Sequence, residues 1–199
     1  MKLAAYHTIG RVEAGIDEAG RGCYAGPVVA AAVILEPSFS HPLLNDSKKL
    51  SAENRSMLRK VIEDSALAYA IGEATVEEID NINILQATYL AMHRAIERLK
   101  KKPEFLLIDG NRFKAYKGID HACLVKGDGR FASIAAASIL AKTERDTFMQ
   151  QLADEFPQYD WKNNKGYGTL KHRKAIEQHG LCKYHRKSFS ILPNPTLFS

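Results

Sequence analysis

Two adjacent carboxylates at the end of an apolar, strand-like run constrain this chain more than any other feature. The stretch reads Ala14-Gly15-Ile16-Asp17-Glu18-Ala19-Gly20-Arg21-Gly22-Cys23-Tyr24-Ala25-Gly26-Pro27. Val12, Ala14 and Ile16 alternate with Glu13 and Gly15, the pattern of a half-buried strand. Beyond Pro27, Val28-Val29-Ala30-Ala31-Ala32-Val33-Ile34-Leu35 reads as a second, largely buried strand. Burying a bare carboxylate is costly, so the pair calls for a counter-charge, and metal ions are its simplest source.

Two other readings compete for the stretch. Gly20-Arg21-Gly22-Cys23-Tyr24-Ala25 fits the dinucleotide fingerprint G-x-G-x-x-G/A after a strand. That reading needs a helix to start in the glycines and face a pyrophosphate. Gly26-Pro27 and the alanine–valine run make a poor amphipathic helix, and Asp17-Glu18 would set negative charge near the phosphate. The plainer reading is a strand that ends in a glycine turn with two solvated acids.

The remaining chain alternates strands and helices. Glu36 to Asn45 reads as a loop, followed by Asp46-Ser47-Lys48-Lys49-Leu50 and a helix capped by Ser51, with Met57, Leu58, Val61 and Ile62 on its buried face. Leu67, Tyr69 and Ile71 alternate in a third strand. Thr75-Val76-Glu77-Glu78 is a capping box for a short helix. A longer helix follows from about Ile84 to Lys101, with Leu85, Tyr89, Met92, Ile96 and Leu99 as its stripe and Pro103 as its stop. Strands are expected at Phe105-Leu106-Leu107-Ile108, ending at Asp109-Gly110, and from His121 to Val125, ending before Asp128. An alanine-rich helix spans Phe131 to Phe156, Asp160 to Tyr167 is a polar loop, and Thr169 to His179 is a short helix closed by Gly180. The pattern predicts an α/β domain with a mixed sheet. At 199 residues one domain is expected over 1–199, with about 157–199 as a C-terminal appendage and tail.

Charge enters the argument through partners. A net charge of +5 is compatible with a polyanion without demanding one. No apolar run is long enough to span a membrane, and no signal peptide is read at the start. Cys23, Cys123 and Cys182 are odd in number and widely spaced, which argues against a disulfide framework and for the cytoplasm. A monomer is expected.

Asp17, Asp109 and Asp128 each fall at or near the end of an expected strand. Adjacent strands lie about 4.8 Å apart, so such acids could meet. They would repel one another without cations, and an all-oxygen set favours Mg²⁺ or Mn²⁺. Successive strand residues point to opposite faces, so Asp17 and Glu18 share a site only if the chain twists or bulges, which Gly20 would ease. The alternative is that the acids are turn residues, since Asp109-Gly110 and Asp128-Gly129 are Asp-Gly pairs. His172, His179, Cys182 and His185 offer a rival zinc site, with spacing looser than zinc motifs have.

The motifs taken in order closely resemble ribonuclease HII, the type 2 ribonuclease H family of bacteria. They are Asp17-Glu18-Ala19-Gly20-Arg21-Gly22 with Gly26-Pro27-Val28, Asp46-Ser47-Lys48-Lys49-Leu50, Ile108-Asp109-Gly110-Asn111, Lys126-Gly127-Asp128, Ser133 to Lys142, Asn164-Lys165-Gly166-Tyr167-Gly168-Thr169 and His185-Arg186-Lys187-Ser188-Phe189. The resemblance implies a ribonuclease H-like fold: a central mixed sheet flanked by helices, with a helical C-terminal extension. It implies a metal-dependent endonuclease acting on the RNA strand of RNA–DNA hybrids and 5′ of ribonucleotides embedded in duplex DNA, leaving a 3′-hydroxyl and a 5′-phosphate. Asp17, Glu18, Asp109 and Asp128 become catalytic ligands of two Mg²⁺ or Mn²⁺ ions. Gly20, Arg21 and Gly22 become the readers of the ribose 2′-hydroxyl, Tyr167 the ring on the neighbouring sugar, and Ser47, Lys48 and Lys49 phosphate contacts. Ribonuclease HIII, the sister family, is disfavoured by the intact Gly20-Arg21-Gly22 and by the lack of a long N-terminal extension. A binding module of the same fold without catalysis is the alternative function.

Overall fold

The computed structural model describes residues 3–45 and 50–191. Its centre is a five-stranded sheet built from β1 (Glu13–Ala19), β2 (Val28–Ile34), β3 (Ala68–Ala74), β4 (Phe105–Asp109) and β5 (Asp120–Leu124). The spatial order is β3-β2-β1-β4-β5, with β1 antiparallel to β2 and parallel to β4. The sheet is therefore mixed, as the sequence pattern predicts.

Helices cover both faces. α1 (Ala52–Ser65) is capped by Ser51, whose side chain accepts from the Asn54 amide at 3.2 Å. α2 (Val76–Glu97) carries the Thr75–Glu78 capping box. It packs on the face formed by Ala14, Ile16, Ala30, Ala70 and Ile108. α3 (Ala132–Glu155) and α1 cover the opposite face, against Ala31 and Val33. Two short helices, α4 (Trp161–Asn164) and α5 (Leu170–His179), form the C-terminal layer.

Several elements depart from expectation for identifiable reasons. β1 is buried on both faces rather than half-buried, because α2 and α3 sandwich it. Its Glu13 stays buried by accepting the amides of His7 and Thr8 at 2.6 and 2.8 Å. In β3 the buried residues are Ala68, Ala70, Gly72 and Ala74, while Tyr69 is exposed, so the expected Leu67–Tyr69–Ile71 face is the outer one. The cause is the close approach of α2: a Cβ on Gly72 would stand 2.2 Å from the Ala91 carbonyl oxygen. α1 buries Leu58 and Ile62 but leaves Met57 exposed.

α2 joins the two expected helices across a kink at Asn83 (φ 67, ψ 162) and ends at Glu97, ahead of the expected Lys101. The Asn83 side chain accepts from the Leu85 and Gln86 amides, so it caps the second segment. The expected loop from Asp160 holds α4 instead.

One contact governs how α3 lies on the sheet. A Cβ on Gly15 would stand 2.2 Å from the Ser133 carbonyl carbon. Only glycine lets the start of the helix pass this close to β1. Two strand residues advance about 6.6 Å and five helical residues about 7.5 Å, so a helix touching Gly15 at Ser133 brings Ser138 over Asp17.

The C-terminal layer has an aromatic core in which Tyr159 and Trp161 stack at 5.1 Å and His172 and His185 are fully buried. The rival zinc reading fails here. His185 Nδ1 accepts from the Cys182 amide at 3.0 Å, and the two rings meet Nε2 to Nε2 at 3.1 Å. Their nitrogens are committed to hydrogen bonds, and His179 is exposed at the end of α5.

Two tests follow from this packing. Gly15→Ala should destabilise the protein by at least about 1–3 kcal/mol, the usual cost of overpacking a filled site, read as a lower denaturation midpoint. An unchanged midpoint would show that α3 can yield. The second concerns pH. Burial first, and the neighbouring His172 second, push His185 from its ordinary 6.5 down to about 4. The unfolded chain takes up this proton as pH falls below 6.5, while the folded chain resists until about 4. Stability supplied by the neutral ring is therefore complete above that window and lost on descending through it. His185→Gln should flatten the fall in Tm over this range; an unchanged slope would refute the assignment.

Candidate active site

The register of the parallel pair places the acids. β1 and β4 are matched through Ile16 and Ile108, so Asp17 and Asp109 are the next neighbours at the C-terminal ends of adjacent strands. Gly15 and Leu107 both face α3, and two residues on so do Asp17 and Asp109. They open into a cavity of about 400 Å³. Glu18 lines it too, although β1 stays paired with β2 through Ala19 and no bulge intervenes. The cavity wraps over the strand end, and the turn comes later, at Gly20 (φ 95).

Electrostatics mark this cluster as unbalanced. Asp17 is 6% exposed, and burial first, then Glu18 and Asp109, hold its carboxyl well above the ordinary carboxylate range. A hydrogen bond from Ser138 and the Glu18 amide at 2.7 Å only partly oppose this. Glu18 is also raised, chiefly by burial, against the pull of Arg21, whose guanidinium lies 3.0 Å from it. Asp109 accepts the Gly127 amide at 2.7 Å, which ties the turn Gly127–Gly129 to the end of β4. Asp128 sits in that turn, adjoining the cluster without lining the cavity.

Among the described residues no three His, Cys, Asp or Glu side chains are already gathered as a cation cage. The donor set nevertheless fits a hard divalent ion. It is all carboxylate oxygen, and Glu18 and Asp109 raise the Asp17 pKa, an effect that a cation between them would reverse.

The glycine segment forms the cavity's other wall. No helix starts in it, so the dinucleotide reading fails: the chain turns through Gly20 to Gly26 and enters β2. Gly20, Arg21, Gly22 and Tyr167 all line the same cavity as the acids. The position where a Gly22 Cβ would stand is open space, whereas one on Gly20 would strike the Arg145 guanidinium. Tyr167 is held beside Cys23 by a β-bridge and is 46% exposed. Ser47, Lys48 and Lys49 lie outside the described residues.

Sequence reasoning missed the residues that shape this wall. Arg186 is fully buried and donates to the carbonyls of Gly20 (2.7 Å), Arg21 (2.9 Å), Gly26 (2.9 and 3.0 Å) and Pro27 (3.2 Å). Arg145 donates to the carbonyls of Ala25, Pro27 and Lys165. Two guanidiniums thus act as templates for one loop. Arg55, Ser138 and Lys142 also line the cavity. Ser138 and Lys142 are four apart and share a helix face, a spacing visible in the sequence. Arg186 lies in a family motif, but nothing local distinguishes a buried arginine from a solvated one.

Comparison with known proteins agrees with this geometry. Residues 14–192 match the family described as Ribonuclease HII. The chain is 59% identical over 194 residues to Ribonuclease HII of Cytophaga hutchinsonii, covering 97% of this chain and 96% of that protein. It is 61% identical over 191 residues to that of Parabacteroides distasonis, covering 96% of each. Among solved structures, RNase HII of Archaeoglobus fulgidus, in a complex with PCNA, has a TM-score of 0.74 at 26% identity, over 94% of this chain and 98% of that one. Bst-RNase HIII in complex with Mn²⁺ has a TM-score of 0.74 at 21% identity, over 95% and 70%. Extended similarity and a shared α/β ribonuclease H-like architecture lead to one conclusion: the chain belongs to the ribonuclease HII family and is a ribonuclease H-type endonuclease.

Proposed function

We propose that this endonuclease is metal-dependent, cuts the RNA strand of RNA–DNA hybrids, and also cuts 5′ of ribonucleotides embedded in duplex DNA, leaving a 3′-hydroxyl and a 5′-phosphate. The observation that carries the reading is the meeting of Asp17, Glu18 and Asp109 with Gly20, Arg21, Gly22 and Tyr167 around one cavity. Acids alone would serve any metal nuclease. Acids beside a loop open to close backbone approach suit one that reads a sugar hydroxyl.

Asp17, Glu18, Asp109 and Asp128 would hold two divalent ions, Mg²⁺ or Mn²⁺, which supply Lewis-acid stabilisation of phosphate charge and an activated water. Gly22, with open space where a side chain would be, lets the backbone approach the ribose. The 2′-hydroxyl distinguishes RNA from DNA at that point. Tyr167, bridged to Cys23 beside Gly22, packs on the adjoining sugar from the same wall. Arg21, paired with Glu18, holds that carboxylate in place at the cavity rim. Lys142 and Arg55 add positive charge at the same cavity, where a phosphodiester would lie. Ser47, Lys48 and Lys49 remain candidates for phosphate contacts on the strength of the family motif.

Two experiments test the reading. Asp17→Asn and Asp109→Asn should each reduce cleavage to near background while leaving a folded protein that still binds duplex. Asp17→Asn should also raise the Tm of the metal-free protein at neutral pH. Its folded pKa lies well above its unfolded value, so stability is lost as pH rises from the unfolded value toward the folded one, a loss that an uncharged Asn does not incur. Parent-like turnover in Mg²⁺ by either variant would remove that residue from the site. In the second, kcat/KM is measured on a DNA duplex with one ribonucleotide. Tyr167→Phe should lose about 2- to 13-fold, a hydrogen bond of roughly 0.5–1.5 kcal/mol. Tyr167→Ala should lose more, with metal affinity unchanged, and a Tyr167→Ala enzyme as active as the parent would make Tyr167 a packing residue.

A further inference from the structure

The buried histidine pair leads back to the cavity. His172 Nδ1 lies 2.9 Å from the Tyr167 carbonyl oxygen, and its Nε2 lies 3.0 Å from the Trp161 indole nitrogen. A carbonyl only accepts and an indole N–H only donates, so His172 carries its proton on Nδ1 and leaves Nε2 as acceptor. The Cys182 amide donates to His185 Nδ1, which puts the His185 proton on Nε2, facing His172 Nε2 at 3.1 Å. One assignment of tautomers accommodates every contact, with the single lone pair of His172 Nε2 shared between the indole N–H and the His185 N–H. Protons point the same way along the chain, from the Cys182 amide through both rings to the Tyr167 carbonyl.

The Tyr167 carbonyl also accepts the Thr169 amide at 2.8 Å, so the two donors saturate it. The peptide that follows the tyrosine is thereby fixed on its inner side. The peptide that precedes the tyrosine is held as well, because the Gly166 carbonyl accepts the Tyr24 and Ala25 amides at 2.8 and 3.3 Å.

We propose that His172 and His185 are positioning residues for the endonuclease: their hydrogen-bonded relay fixes the Tyr167 backbone and so sets the phenol at the cavity mouth. The inference rests on the reading of Tyr167 as the residue that packs on the sugar. Neither imidazole touches substrate; the relay acts through the tyrosine. Both rings are kept neutral by burial, as a one-way relay requires.

The test is a double-mutant cycle on the duplex with one ribonucleotide, comparing the parent, Tyr167→Ala, His172→Gln and the double variant. Gln carries its amide near the Nε2 position and cannot donate to the Tyr167 carbonyl. His172→Gln should lower kcat/KM by about tenfold, the scale of a buried acceptor stranded without its donor, with Mn²⁺ affinity unchanged. In the Tyr167→Ala background the same change should add little, because the side chain it positions is gone. His172→Asn, whose amide nitrogen stands near the Nδ1 position, should recover most of the loss. If Tyr167→Ala is itself silent, the sugar-packing reading falls and the positioning role with it. If Tyr167→Ala is impaired but His172→Gln is silent, or the two losses multiply, the relay alone is overturned. Nitrogen-15 NMR of the parent protein gives a readout that no unfolded variant can spoil. It should show His172 protonated on Nδ1 and His185 on Nε2, and the opposite tautomer at His172 would refute the relay.

Discussion

Everything in the site depends on two strands running side by side in the same direction. Because β1 and β4 are parallel and in register, their C-terminal ends carry Asp17 and Asp109 to the same edge and the same face. Such like charges repel strongly when water is removed, and here both burial and mutual repulsion raise the Asp17 pKa. The rest of the fold tolerates this burden and positions it. Gly15 admits α3 closely enough to bring Ser138 over Asp17, and Asp109 draws in the Gly127 turn. A buried cluster of mutually repelling acids that works against the fold is a common signature of function.

The two walls of the cavity are stabilised by different means. The acid wall belongs to the sheet, whose core is alanine-rich and tightly packed. The glycine wall belongs to no regular element, and its carbonyls turn inward to Arg186 and Arg145. Burial lowers the Arg186 pKa to about 10, so the side chain stays charged at neutral pH. A buried guanidinium surrounded by carbonyl oxygens is stabilised without a carboxylate, because each of its three nitrogens finds a carbonyl acceptor within a fixed fork. The loop's shape is thus encoded at residues far from it in the chain.

That division explains what could be read from the sequence. Strands and long helices were legible because period and capping are local: Ser51 and Thr75 cap where expected, and the last helix starts directly after Thr169. Asp17 and Asp109 were legible because strand ends are local too. Boundaries set by packing were not. Tyr69 looks like a core residue until α2 presses against Gly72, and Met57 looks buried until Leu58 and Ile62 prove to be α1's contact face. The histidines suggested a ligand set by spacing alone, whereas their real partners, Trp161 and the Tyr167 carbonyl, come from loop geometry that spacing does not report. Arg186 resembled any other cation in a basic tail.

The long reach of Arg186 sets an order on how the molecule is made. It meets the Gly20 carbonyl across 166 residues of sequence, and Asp80 meets Ser188 across 108. Contacts so distant in sequence close late in folding. On the ribosome they cannot form until nearly the whole chain has emerged, by which time β1 and β4, with the acids at their ends, have long been available to pair. The acid cluster therefore precedes the glycine wall in time. A nascent chain halted before Arg186 would carry the acid cluster on an assembled sheet with nothing to shape the glycine loop beside it.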